Sequence, residues 1–180
     1  MTVELEDRDR ALLDGGAGDG AALAMRLVVG MAEVARASRL RDVTRAHIDS
    51  CLYHGQVGLD FAERLLAGGA SVAVPSTLNV SSLDLLHPEL VLLDAETRGR
   101  AKRLMAAYVA MGCRPTWTCA PYQLSDRPSF GEHVAWAESN AIVFANSVLG
   151  ARTNRYGDFI DLCAAVTGRV PDHGLHTDEG

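Results

Sequence analysis

The sequence lacks a basic patch. Its 180 residues contain 17 Lys and Arg against 23 Asp and Glu, which gives a formal net charge of −6. Binding to nucleic acid depends on clustered Lys and Arg side chains that neutralise phosphates. The composition therefore argues against DNA or RNA as a partner.

A long apolar run is also missing. Every apolar stretch is far shorter than the roughly 20 residues that a membrane-spanning helix requires. The N-terminal sequence "MTVELEDRDR" carries acidic residues where a secretion signal would have an apolar core. We therefore expect a cytoplasmic protein with no membrane partner, in which the four cysteines are reduced thiols.

Two familiar binding motifs are absent as well. No CxxC or CxxH partner accompanies Cys119, so its spacing matches no closed zinc site. The glycine-rich segment 15–20, "GGAGDG", follows a predicted helix, whereas a phosphate-binding loop follows a strand. The sequence therefore favours neither a zinc enzyme nor a P-loop protein.

Helix and strand patterns alternate along the chain. A hydrophobic content of 48% with 22% charged residues is typical of a globular protein, and the length is that of one domain. The pattern predicts helices at residues 3–14, 20–37, 56–67, 97–111, 130–150 and 156–167. Thr97 would cap the fourth helix, and Ser129 and Glu132 have the capping-box spacing that starts the fifth, which is interrupted near Glu138. The pattern also predicts an extended segment at 39–48 and strands at 70–76 and 114–118. We therefore predict an α/β fold with a largely parallel sheet flanked by helices, and ligand-binding loops after Val74 and Thr118.

Cys119 lies in the turn-forming segment "TCAPY" at the end of a predicted strand. Free cysteine is often a small buried residue, so packing is one interpretation. Ligands bind at strand ends, so a metal ligand is the other, and spacing leaves both open. Cys113 and Cys163 stand at positions that favour packing. Cys51 lies among polar residues, but their spacings match no closed zinc site.

The segment "WAESNAIVFANSVLGARTNRYG", residues 136–157, combines an apolar helix pattern with polar side chains. Positions seven apart on a helix are nearly aligned, so Ser139, Asn140, Asn146 and Ser147 would share one face. That face could make hydrogen bonds between helices, or it could line a cavity for a polar ligand with Glu138 at its edge. Arg152, just after Gly150, would then pair with a carboxylate of the ligand.

Five segments together resemble the catalytic region of the aconitase X family. They are residues 46–55 (AHIDSCLYHG), 74–84 (VPSTLNVSSLD), 118–122 (TCAPY), 131–158 (GEHVAWAESNAIVFANSVLGARTNRYGD) and 164–176 (AAVTGRVPDHGLH). The resemblance covers nearly the whole chain in order. It implies an aconitase-like layered domain and an iron–sulfur-dependent dehydratase of a small hydroxy acid.

The resemblance also assigns residues. Cys119 matches one of three cysteine ligands of an iron–sulfur cluster, of the 2Fe-2S or 4Fe-4S type, in which an iron can act as a Lewis acid on a substrate hydroxyl. The remaining assignments are substrate contacts or pocket-lining positions: Ser50, Cys51, Leu52, Asn79, Val80, Glu138 and Ser139. None of these roles follows from spacing alone.

Family members act as cis-3-hydroxy-L-proline dehydratases in bacteria or as phosphomevalonate dehydratases in archaea. The segment "HIDSCLYHG" is more similar to the bacterial branch, so hydroxyproline is the expected substrate and phosphomevalonate the alternative. A non-catalytic fragment or a partner-binding subunit is the third possibility.

The sequence also departs from the family pattern. Cys51, Cys113 and Cys163 do not match the other two cluster ligands, and no counterpart is found of the small swivelling domain that carries the proposed serine base. We expect residues 1–180 to be the N-terminal part of the catalytic region, inactive alone. Its partner would be a small swivel domain or small subunit.

Overall fold

The computed structural model describes residues 2–179, which form six α-helices and five short strands. The helices are α1 (Asp7–Leu13), α2 (Asp19–Val34), α3 (Gln56–Ala67), α4 (Ala95–Ala110), α5 (Ser139–Phe144) and α6 (Ile160–Thr167). The strands are β1 (Leu40–Asp42), β2 (Ala46–Ile48), β3 (Ser76–Leu78), β4 (Ala135–Trp136) and β5 (Arg169–Pro171).

A three-stranded parallel sheet stands at the centre, with β2 between β3 and β4. His47 of β2 pairs with Thr77 of β3 on one side and with Trp136 of β4 on the other. The strands β1 and β5 form a separate antiparallel pair. The predicted α/β class is therefore confirmed, with helices around a parallel sheet.

The two faces of the central sheet bury different clusters. Ile48 and Leu78 point into the main core, which also contains Met25 of α2, Leu59 of α3 and Leu162 of α6. On the other face, a smaller cluster contains Val134, Trp136, Ala141, Ile142, Ala145 and Ala151. The parallel strands are therefore covered on both faces, as such sheets require.

The N-terminus of α4 shows how local side chains place a helix. Asp94 is the N-cap, and its Oδ1 accepts the Thr97 backbone N–H at 2.8 Å. The sequence pattern assigned the cap to Thr97 and began the helix there. The helix begins at Ala95 because Asp94 satisfies a backbone donor of the first turn that would otherwise be unpaired.

Two predicted strands are wrong in extent. The structure has β3 at Ser76–Leu78, whereas the pattern placed it at 70–76. In 114–118 only Arg114 bridges to Thr77, and the segment is not a continuous strand. Pro115 has no N–H to donate, and Trp117 has φ of 45°, far from the extended values of a strand.

The predicted helix at 130–150 is also wrong in its first third. Ser129 and Glu132 do form a hydrogen-bonded turn, in which Glu132 Oε2 accepts the Ser129 N–H at 2.7 Å. No helix follows, because Glu132 also pairs with Arg45 at 3.0 Å and the chain continues into β4. The helix starts at Ser139 and becomes a π-helix over Ala145–Leu149.

The π-helix changes the expected polar face. Asn146 points inward, where its Nδ2 donates to the Ile142 and Thr153 carbonyls, each at 2.9 Å. Ser139, Asn140 and Ser147 are exposed. Asn146 therefore links this segment to Thr153 and does not share a ligand-facing stripe with the others.

Candidate active site

The candidate site lies where the three parallel strands end. Asp49 and Ser50 follow β2, Asn79 follows β3 and Glu138 lies two residues beyond β4. Because β2, β3 and β4 run in parallel, their carboxyl ends lie at one edge of the sheet. Ligands bind at this edge in sheets of this kind.

Asn79 connects the three strand ends through hydrogen bonds. Its Nδ2 donates to Glu138 Oε2 at 2.7 Å and also to Asp49 Oδ1. Its backbone N–H donates to the Ile48 carbonyl at 2.9 Å, and its Oδ1 accepts the Val80 N–H at 2.7 Å. Asn79 is almost fully buried, so this arrangement is fixed by contacts on several sides.

The pKa values of the two carboxyl groups that are hydrogen-bonded to Asn79 shift in opposite directions. Burial raises the pKa of Asp49, and the nearby Glu138 charge adds to this rise. Burial also acts on Glu138, but hydrogen bonds from Asn79 and Ser139 outweigh it and lower the pKa of Glu138. Two neighbouring carboxyl groups whose pKa values shift in opposite directions are a common feature of sites for acid–base chemistry.

The turn after β2 contains the predicted residues 50–52. The Ser50 hydroxyl lies 2.9 Å from the Tyr108 hydroxyl. The Cys51 thiol is buried and donates to the Ile48 and Asn79 carbonyls at 3.2 and 3.3 Å, so it joins the ends of β2 and β3. Leu52 and Ser50 line a cavity of about 160 Å³. The turn can therefore form part of a pocket wall.

Cys119 lies at the same edge of the sheet, on the side of β3 that faces away from β2. The Thr118 N–H donates to the Leu78 carbonyl at 3.2 Å, and Asn79 is the next residue along the chain from Leu78. The Ala120 N–H donates to Thr118 Oγ1 at 3.1 Å, which closes the turn that carries the cysteine. Cys119 is exposed, so its thiol is accessible.

The other three cysteines are buried. Burial raises the pKa of Cys113 to about 12 and also raises the pKa of Cys51 and Cys163. They are therefore poor thiolate ligands. Within residues 2–179 no group of three His, Cys, Asp or Glu side chains could hold a metal ion. Cys119 is the one cysteine of the four with an exposed thiol, so a metal centre that used it would need its other ligands from outside these residues.

Arg152 does not join the other predicted site residues. It bridges to His133, before β4, whereas Glu138 lies after β4. At about 3.3 Å per residue, the five positions from 133 to 138 correspond to about 16 Å. The guanidinium pairs with Asp178 at 2.6 Å. The structure therefore places Arg152 near the opposite edge of the sheet.

Asp49 is the site residue that the sequence pattern did not assign. Its carboxyl group shares the Asn79 amide with Glu138, and this places it at the centre of the three strand ends. One signal was available, since Asp49 directly follows a buried strand whose three residues are all buried. The resemblance pointed to the residues that follow it, and the partner at Asn79 is 30 positions away.

The buried His47 makes stability depend on pH. Its Nδ1 lies 2.8 Å from Thr77 Oγ1, and Nε2 has no hydrogen-bond partner within residues 2–179. Burial lowers the pKa of His47 to about 4, against 6.5 for an unperturbed histidine, although Glu138 opposes this shift. A lowered folded-state pKa contributes stability above pH 6.5, and that stability is lost as the pH falls towards 4.

We expect His47→Gln to weaken this pH dependence. Between pH 7 and 5 the variant should lose about 2 kcal/mol less of its free energy of unfolding than the wild type does. Urea denaturation at both pH values measures the difference. The exposed His54→Gln is the control and should leave the pH dependence unchanged. Equal losses in the wild type and His47→Gln would contradict the assignment.

The comparisons with known proteins agree with this architecture. The family model described as "Aconitase X first domain" matches residues 2–179. The chain belongs to the aconitase X family.

Two relatives represent the two activities in this family. The cis-3-hydroxy-L-proline dehydratase of Pseudomonas aeruginosa is 52% identical over 175 residues, which is 97% of this chain and 30% of the relative. The phosphomevalonate dehydratase large subunit of Methanothermobacter thermautotrophicus is 38% identical over 179 residues, 98% of this chain and 45% of the relative. The chain therefore spans less than half the length of these aconitase X relatives.

A solved aconitase X structure supports the fold. The crystal structure of Thermococcus kodakaraensis aconitase X in its holo-form superposes with a TM-score of 0.88 at 35% sequence identity. The match covers 98% of this chain and 44% of that chain. The layered α/β arrangement is thus that of an aconitase X domain.

Within residues 2–179, no helix has both the length and the apolar character that crossing a bilayer requires.

Proposed function

We propose that this chain is part of an iron–sulfur-dependent dehydratase whose substrate is cis-3-hydroxy-L-proline. The observation that carries the choice of substrate is the higher identity to the bacterial hydroxyproline enzyme, 52% against 38% for the archaeal large subunit. The hydrogen-bonded Asp49, Asn79 and Glu138 at the strand ends support a site for a polar substrate.

The substrate chemistry matches the charges at this edge. Hydroxyproline has a ring ammonium and a hydroxyl group on the carbon next to Cα. We assign the ammonium to the ionised Glu138, whose Oε1 also accepts the Ser139 hydroxyl at 3.1 Å. In this assignment, Asn79, Val80 and residues 50–52 would form the neighbouring wall of the substrate pocket. Dehydration removes the Cα proton and the hydroxyl as water, with the base supplied from outside these residues.

Cys119 is the ligand that this chain would supply to the cluster, of the 2Fe-2S or 4Fe-4S type. Its exposed position beside the end of β3 supports this role, since a ligand must be accessible and must lie next to the substrate. An iron of the cluster would supply Lewis-acid chemistry at the substrate hydroxyl. The other cysteine ligands belong to the rest of the enzyme.

The protein partner in this proposal is a small swivel domain or a small subunit, in a cytoplasmic enzyme. The name of the archaeal relative, a large subunit, supports a second polypeptide there. In this chain the segment between β3 and α4 exposes several large apolar side chains: Leu85 (49%), Leu86 (85%), Leu90 (65%) and Leu92 (99%). Several exposed leucines within eight residues are typical of a segment that contacts another part of a protein.

The test is turnover by the full-length, iron-loaded enzyme on both substrates. We expect loss of cis-3-hydroxy-L-proline with release of one water per molecule, and at least tenfold lower kcat/KM for 5-phosphomevalonate. A higher kcat/KM for phosphomevalonate than for cis-3-hydroxy-L-proline would assign the phosphomevalonate dehydratase activity instead. No turnover of either substrate by cluster-containing enzyme would favour a non-catalytic, partner-binding role.

A further inference from the structure

One buried carboxylate accepts several hydrogen bonds from the turn after β2. Asp161, in the first turn of α6, is fully buried. Its Oδ2 accepts the backbone N–H of Asp49 at 2.6 Å and that of Ser50 at 3.3 Å. Its Oδ1 accepts the Ser50 hydroxyl at 3.3 Å. A single side chain on α6 therefore fixes both the backbone and a side chain of this turn.

Tyr108 of α4 holds the same turn at a second point. Its hydroxyl donates to the Ser50 carbonyl at 3.1 Å and lies 2.9 Å from the Ser50 hydroxyl. Tyr108 is fully buried, so its ring cannot move without disturbing the core. Ser50 is thus held between two buried residues from different helices.

The contacts continue from this turn to the site. The Asp49 carboxyl accepts from the Asn79 amide, and the same amide donates to Glu138 at 2.7 Å. A displacement of the Asp49 backbone would therefore move one of the two acceptors that orient Asn79. Asp161 has no direct hydrogen bond to Asn79 or Glu138 among the described residues, so it acts on them through Asp49.

Burial of the Asp161 carboxylate costs free energy, and packing alone would not require a carboxylate at this position. Its helix neighbours Leu162, Cys163 and Ala164 are all fully buried, and an apolar side chain would avoid the cost of moving a carboxylate out of water. Burial raises the pKa of Asp161 to about 6, and the hydrogen bonds from Asp49, Leu162 and Ser50 only partly offset it. The compensating feature is the turn itself, whose two backbone N–H groups need an acceptor.

We propose that Asp161 is a positioning residue of the dehydratase, which holds the turn at Asp49 and Ser50 so that Asn79 and Glu138 are aligned with the substrate. This inference rests on the proposed function. It assigns a role to a residue that does not line the pocket and that belongs to none of the predicted contacts.

The main test is Asp161→Asn in the full-length, iron-loaded enzyme. Asparagine has nearly the same size, but its NH₂ group would face backbone N–H donors where an oxygen now accepts. We expect kcat/KM for cis-3-hydroxy-L-proline to fall on the order of 100-fold, as for small misplacements of reacting groups, together with a higher KM. Rates are divided by the folded, iron-containing fraction, measured by circular dichroism and iron analysis.

Two further variants separate positioning from loss of folded protein. Tyr108→Phe keeps the ring and removes only the hydroxyl that contacts Ser50, so it should raise KM in the same direction by a smaller factor. Asp60→Asn is the matched control, because Asp60 is an exposed carboxylate on α3 whose one side-chain hydrogen bond within residues 2–179 is to Gln56, at 2.6 Å. It should leave kcat and KM unchanged.

The outcomes distinguish this inference from the proposed function. An unchanged KM and an unchanged kcat per folded, iron-containing molecule of Asp161→Asn would overturn the positioning role. If that variant does not fold, the KM of Tyr108→Phe decides the question in the same way. A wild-type enzyme that turns over neither substrate contradicts the proposed function instead.

Discussion

We expect Cys119→Ser to remove the proposed iron–sulfur cluster from the full-length enzyme and to abolish the proposed dehydratase activity. The physical reason is the ligand: iron–sulfur clusters bind thiolate sulfur, and a serine hydroxyl is a much weaker donor that stays protonated at neutral pH. Cys119 is the exposed cysteine of this chain, so no other thiol here can replace it. Iron and acid-labile sulfide per polypeptide are measured along with hydroxyproline turnover.

The control for this prediction is Cys113→Ala. Cys113 is buried beside the end of α4, and burial raises the pKa of its thiol to about 12, so it is not available as a ligand. Alanine at this position should cost some stability and leave the iron content unchanged. An unchanged iron content in Cys119→Ser would remove Cys119 from the ligand set.

Arg169→Ala should be the most destabilising of the charge substitutions described here. Arg169, in β5, is almost fully buried and forms ion pairs with three carboxylates: Asp42 at 2.6 Å, Glu6 at 2.9 Å and Asp9 at 2.9 Å. Asp9 of α1 is completely buried. Removal of the guanidinium leaves this carboxylate without its cation, at an expected cost of about 3–5 kcal/mol in the free energy of unfolding.

Urea denaturation of the protein at pH 7 measures this loss. The surface pair of Arg103 and Glu63, at 2.7 Å, provides the control, and Arg103→Ala should cost less than about 1 kcal/mol. The double variant Arg169→Met with Asp9→Leu removes both buried charges and should recover most of the stability. A double variant as unstable as Arg169→Ala would mean that packing, and not the unpaired charge, sets the cost.

The α/β class was predictable because helix and strand patterns alternate along the chain. The strands of the parallel sheet were located only in part: β2 lies in the predicted extended segment, whereas β4 falls inside a predicted helix. The segment 114–118 has the composition of a strand, but Pro115 and the positive φ of Trp117 prevent continuous pairing. The cap-like spacing of Ser129 and Glu132 was real, yet Glu132 pairs with Arg45, which is 87 positions away. Local patterns cannot reveal such a competing partner.

The candidate site was predictable in part for a similar reason. The pattern placed ligand-binding loops after Val74 and Thr118, whereas the three parallel strands end at Ile48, Leu78 and Trp136. The role of Cys119 came from resemblance to a family, since one thiol has no informative spacing. Asp49 and Asp161 act through hydrogen bonds to positions 30 and 112 residues away. Arg152 has a suitable sequence position but lies near the other edge of the sheet, with Asp178 as its partner.

The backbone at Trp117 has a consequence for anyone who wishes to make a more heat-resistant variant. Trp117 has φ of 45° and Phe159 has φ of 81°, conformations that cost non-glycine residues about 1–3 kcal/mol each. Both rings are partly buried, Trp117 against the main core and Phe159 against Phe61 with ring centroids 4.8 Å apart, and this packing offsets the backbone cost. Trp117 is two residues before Cys119, and Phe159 is two residues before Asp161. A glycine at either position would lose this packing and loosen the backbone beside Cys119 or Asp161, so thermostability should be sought elsewhere in the chain.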